Sequence, residues 1–127
     1  MKYIKLFEEL DRDELKVLED YADYLFAGLG VNIVFTKHFK DRINDARNGR
    51  PISYEEIAEL FRKAYKEAGQ EISELPDDTA AVLTDIMSNL NIPFKISEDP
   101  KHDKTDALMM TVMRKRNYLS DDPKIIL

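Results

Sequence analysis

Apolar residues recur at three- and four-residue spacing through Leu15, Leu18, Ala22, Leu25 and Phe26, which predicts a helix over residues 3 to 27 with a break near Asp11. Gly28 and Gly30 stop it. The β-branched and aromatic run from Val31 to Phe35 predicts a strand. Thr36 then stands where it can cap a helix whose Phe39, Ile43 and Ala46 form an apolar stripe, and Asn48-Gly49-Arg50-Pro51 ends that helix as a turn.

Ser53 with Glu56 three residues on has the form of a capping box, and it opens a helix that turns Ile57, Leu60, Phe61 and Ala64 inward until Gly69 closes it. After Pro76, Asp77 or Asp78 can cap a further helix, because Leu83, Ile86, Met87 and Leu90 fall at helical spacing. Pro93 to Ile96 predicts a strand, residues 97 to 106 a polar loop holding His102, and Ala107 to Arg114 and Lys124 to Leu127 two further strands. Helices early and strands late predict an α+β fold, with N-terminal helices packed on a small, mostly antiparallel C-terminal sheet. No repeat, low-complexity tract or linker divides the chain, so one compact unit is expected.

Charge changes this picture by its distribution. The net charge is −6, which argues against a general nucleic-acid coat. Residues 1 to 30 carry a net −4 and residues 51 to 92 a net −6, whereas 31 to 50 carry +3 and 93 to 127 carry +1. A local basic cleft on an acidic body follows if the fold brings the two positive blocks together. The absence of cysteine removes disulfides, thiolate nucleophiles and zinc-thiolate sites. No apolar run nears the ~20 residues of a membrane span and no secretory signal pattern opens the chain, so a soluble intracellular protein is expected.

The positive blocks hold the candidate chemistry. His38, one of two histidines, stands four residues before Arg42, so a helix puts both on one face. An imidazole can accept and return a proton near neutrality, and a guanidinium one turn later can stabilise charge on a phosphoryl oxygen; the alternative is a solvated helix face. Arg47 and Arg50 flank the following turn, either as a phosphate-binding pair or as cations favouring a helix C-terminus. Thr111 interrupts the apolar run Met109 to Met113, either as an ordinary β-former or as a hydroxyl offered to a ligand. Arg114, Lys115 and Arg116 supply footing for a phosphate chain or discourage edge-strand aggregation, and Tyr118 stacks on a base or packs with a wet tip. No spacing of acids and histidines matches a metal signature, and no glycine-rich phosphate loop or dinucleotide fingerprint occurs, so no cofactor and no metal are expected.

The order His38-x3-Arg42, the helix start Ile52-Ser53-x-x-Glu56 and the late Thr111-Val112 resembles the metal-independent RNases of the barnase/RelE-like superfamily, more narrowly its phage-encoded members. The resemblance covers residues 31 to 127 and leaves residues 1 to 30 as an acidic helical extension. It implies a site on the open face of the sheet and RNA cleavage by the neighbouring 2′-hydroxyl to leave a 2′,3′-cyclic phosphate. It implies His38 as general base or acid, Arg42 as stabiliser of the pentacovalent phosphoryl group, and Thr111 as the group orienting phosphate or hydroxyl. Arg47, Arg50, Arg114, Lys115, Arg116 and Tyr118 are then RNA contacts. The first ten residues are also similar to the capsid-targeting peptides of tailed phages, cut after an apolar-x-Glu triplet such as Leu6-Phe7-Glu8.

Two functions follow as expectations. One is an RNA-cleaving phage protein acting in the host cytoplasm or packaged in the virion. The other is a non-catalytic virion or host-takeover protein whose acidic surface binds a host protein or an inhibitor partner.

Overall fold

The computed structural model describes residues 10–101 and 103–127; the capsid-targeting resemblance of the first ten residues therefore falls almost wholly outside the described residues, as does His102. Asp11 opens the first helix, α1 (Arg12–Ala27), through a full capping box with Glu14. Its stripe of Leu15, Leu18, Ala22 and Phe26 is buried. Gly30, at φ 76°, lets the chain reverse into β1 (Val31–Phe35), whose alternate residues Val31, Ile33 and Phe35 face the core.

Thr36 caps α2 (Lys37–Arg42), which ends sooner than the apolar stripe predicts. Ile43 is buried, but Ala46 is exposed and begins a separate 3-10 turn, Ala46–Asn48, capped by Asp45. The helix stops because the Asn48 amide takes the Arg42 carbonyl at 2.9 Å and the Ile43 carbonyl at 3.4 Å. The capping box of Ser53 and Glu56 forms and starts α3 (Tyr54–Ser73). Gly69 does not close α3. It lies buried inside the helix, where an added Cβ would meet Leu29 Cδ1 at 3.0 Å, so the missing side chain serves close packing.

The expected third long helix is absent, and its place is taken by a hairpin of β2 (Ala80–Asp85) and β3 (Leu90–Asp99). Leu83 and Leu90 are core residues, whereas Ile86 and Met87 stand 62% and 85% exposed at the hairpin tip. β2 lies between two other strands and is buried at Ala81, Val82 and Leu83 in succession, so it has no alternation for a sequence reading to detect. The polar segment 97 to 106 is likewise mostly strand: β3 runs on to Asp99, and β4 (Lys104–Met109) returns against it with Asp99 opposite Lys104, an oppositely charged cross-strand pair. The strand expected over Ala107 to Arg114 is broken after Met109 and resumes as β5 (Met113–Arg114), with Thr111 in the break. β6 (Lys124–Ile126) completes the strands among the described residues.

The sheet has order β1-β4-β3-β2-β6, with β5 also paired to β3. β3 pairs antiparallel with β2, β4 and β5, while β1 with β4 and β2 with β6 are parallel, giving the expected α+β fold with a mostly antiparallel sheet. One hydrophobic cluster includes Leu18 and Phe26 of α1, Phe61 of α3 and Ile92 and Phe94 of β3, so the acidic N-terminal helix is part of the core. The outer edge of β1 is closed by that helix: Ile33 N–H donates to the Asp23 carboxylate at 2.9 Å and Phe35 N–H to that of Glu19 at 2.6 Å. No helix among the described residues is long and apolar enough to cross a membrane.

Candidate functional site

His38 and Arg42 share the exposed face of α2, as their spacing requires. Arg42 Nε donates to His38 Nε2 at 3.3 Å, a bond that uses the nitrogen's lone pair. The same guanidinium reaches the Asp45 carboxylate at 3.3 Å through Nη1, and Arg47 donates to Asp45 through both Nε (3.2 Å) and Nη2 (3.0 Å). Asp45 thus gathers two arginines beside the imidazole and supplies their countercharge. Lys37 pairs with Asp41 at 3.4 Å as surface support.

The two residues before Thr111 are tied to Thr36. The Thr36 hydroxyl accepts from Phe39 N–H as a helix cap and also lies within bonding distance of the Met109 carbonyl (2.8 Å) and the Met110 carbonyl (3.2 Å). The segment bearing Thr111 is thereby fastened to the start of the helix bearing His38. Replacing Thr36 with valine should cost about 1.5 kcal/mol in chemical denaturation, the usual loss for an N-cap plus a partnerless carbonyl.

The two positive blocks do meet, and the joint is Arg114. Its backbone N–H donates to Asn48 Oδ1 at 3.0 Å, joining β5 to the turn after α2. Its guanidinium makes a fork with Glu56 (2.8 and 2.7 Å) and donates to the carbonyls of Ser88 (2.9 Å), Pro51 (3.0 Å) and Arg50 (3.3 Å). All five donors are engaged, and the side chain is 10% exposed. Arg114 is thus a tether within the fold, its guanidinium N–H groups all taken by protein acceptors. Arg50 also pairs with Glu56, at 3.1 Å, but remains largely exposed.

The bond from Arg114 holds the Glu56 carboxyl at about 2, well below its ordinary 4.5, against the opposing effect of burial. A carboxyl with a lower pKa folded than unfolded contributes stability that is complete above about pH 4.5 and lost as pH falls towards 2. Urea midpoints should accordingly fall less steeply across that window in Glu56→Gln than in the parent protein, once each is referred to its own value near neutrality.

A second buried amide anchors the residues that follow. Asn91, 1% exposed, offers its amide to the carbonyls of Asn89 (3.1 Å), Met113 (3.2 Å) and Lys115 (2.9 Å), while its oxygen accepts from the Thr84 hydroxyl at 3.0 Å. Lys115 N–H also donates to the Asn89 carbonyl at 2.8 Å. Beside this anchor, a cleft of about 360 Å3 opens against β2 and β6, lined by Thr84, Asn91, Lys115, Arg116, Tyr118 and Lys124 among others. Lys124 Nζ donates to the Tyr118 carbonyl and fastens the cleft's wall. The side chains of Lys115 and Arg116 have no ion pair or hydrogen bond among the described residues.

Asp45, Asn48, Glu56 and Asn91 are the organising residues that the sequence reading passed over. Glu56 was legible as a capping residue, and it does accept from Ser53 N–H at 3.0 Å, but nothing local signalled its arginine. Asn48 was legible only as part of a turn. No buried side-chain nitrogen or oxygen lacks a partner among the described residues, and none of these gathers three potential metal ligands. No protein-family model, curated protein or solved structure matches the chain.

Proposed function

We propose that the chain is a metal-independent RNA-cleaving protein working by general acid-base chemistry, of the phage-encoded kind its sequence resembles. What supports this reading above all is one juxtaposition: an exposed imidazole whose Nε2 is contacted by a guanidinium, on a short helix bonded at its first turn to the segment carrying Thr111. With the Arg42 guanidinium turned from His38 Nε2 to the phosphoryl oxygens, the freed lone pair of His38 takes the proton of the attacking hydroxyl, or the imidazolium returns one to the leaving oxygen, and Thr111 orients the phosphate. Arg47, released from Asp45, and Arg50 lie on the approach to the same helix. Lys115, Arg116 and Tyr118 hold the strand on the far side of the Arg114 joint.

The test is incubation of purified protein with tRNA and with mixed RNA in EDTA, beside His38→Ala. Cleavage by the parent that the variant lacks is the expected result; no cleavage of either RNA, or equal cleavage by the variant, defeats the proposal. The competing function, docking of a host protein through the acidic helix, loses force from the use of those acids within the fold. Glu19 and Asp23 bind the edge of β1, Asp20 pairs with Lys16 at 3.0 Å, and Asp11 and Glu14 cap the helix.

A further inference from the structure

We infer that the cleft between β2, β6 and the segment 115–118 is a subsite for one unpaired nucleotide, so that the substrate is single-stranded where it crosses the protein. The inference deepens the RNA reading above and rests on it for the ligand's identity. Its volume, about 360 Å3, lies near the lower end of the roughly 300–1,000 Å3 of small-molecule sites. A concavity of that size admits a base turned out from its strand, whereas a duplex offers such a cleft only its phosphate ridge.

The lining supplies groups for the phosphate and for the base of a nucleotide. Lys115 and Arg116, without partners among the described residues, are placed for the phosphate. Asp85 also lines the cleft, but its carboxylate is already bound by Lys63 at 2.8 Å and by the Ser88 hydroxyl at 2.7 Å. Tyr118 offers the face on which a base stacks. Asn89 and Asn117 stand at the rim with side-chain amides that have no partner among the described residues, and such amides donate and accept side by side as a base edge does. Both have left-handed backbones, φ 60° and 55°, a region that asparagine enters more readily than other non-glycine residues. The rim is fastened below by the Asn91 amide, which holds the Asn89 and Lys115 carbonyls.

The experiment uses His38→Ala protein, so that RNA is bound and not cut, and a fluorescent hexanucleotide of oligouridylate followed by anisotropy over a range of salt. Lys115→Ala with Arg116→Ala should weaken binding about tenfold or more and flatten the salt slope by about 0.7, the contribution of one phosphate on a single strand. Tyr118→Leu should weaken binding about fivefold or more and leave the slope unchanged. A hairpin duplex should bind more weakly than the hexamer at equal salt. Melting temperatures of the variants serve as the folding control. Affinity and slope unchanged in the double variant, or a duplex that binds more tightly, overturns the subsite. If the parent cuts RNA and its own Lys115→Ala, Arg116→Ala form cuts equally well, the subsite falls and the nuclease stands. If the hexamer binds as expected and the parent cuts nothing, the nuclease falls and the subsite stands.

Discussion

Replacing Arg114 with methionine should destabilise the fold by about 3 kcal/mol and lower its melting temperature by roughly 10 °C. The side chain's length and apolar stem are kept, so the loss reports the guanidinium. Its removal leaves the Glu56 carboxylate, 22% exposed, without its fork, and leaves the carbonyls of Ser88, Pro51 and Arg50 without their donor. Breaking a buried pair from one side costs about 3–5 kcal/mol, and the partial exposure of Glu56 brings the expectation to the lower figure. Arg114→Lys should recover less than half of the loss, because a single ammonium cannot supply a planar fork and three further bonds. Calorimetry or urea unfolding of the three proteins decides it. A methionine variant melting within about 2 °C of the parent would mean that the joint contributes nothing, and that Arg114 is free for another role.

The same residue shows where sequence reading reaches its limit. Thr36 and Ser53 were legible as caps because their partners, Phe39 N–H and Glu56 N–H, lie three residues away and the chemistry is local. His38 and Arg42 were legible as neighbours for the same reason, the geometry of one helical turn. Arg114 stood in a run of three cations and looked like its neighbours. Its partner Glu56 lies 58 residues earlier, and only the fold makes one arginine a tether while the next two side chains have no partner among the described residues. Burial misled in the same way. Leu83, Ile86, Met87 and Leu90 have helical spacing, but β2 is covered on both sides and Ile86 and Met87 sit at a hairpin tip, so the period reflected no single face. The α+β architecture survived this error because the caps, the β1 run and the late strands already fixed helices early and a sheet late.

His38→Ala should lower RNA cleavage in EDTA by about 10²- to 10⁴-fold, the range a positioned acid or base contributes, with no loss of RNA affinity. The ring is exposed and touches Arg42, so its removal opens no cavity, and a fall in activity without a fall in melting temperature identifies chemistry and not folding. Arg42→Ala should lower the rate by a comparable factor of about 10² or more through lost stabilisation of phosphoryl charge, and it frees Asp45 to hold Arg47 alone. Thr111→Val, which keeps shape and removes only the hydroxyl, should cost much less, about tenfold. The order of the three is the informative quantity. If His38 moves the proton at the same phosphate whose oxygens Arg42 stabilises, the double variant should lose far less than the product of the single losses, as residues that work as one unit do. Single losses that simply multiply would show that imidazole and guanidinium act at separate places, and the juxtaposition on α2 would no longer explain catalysis.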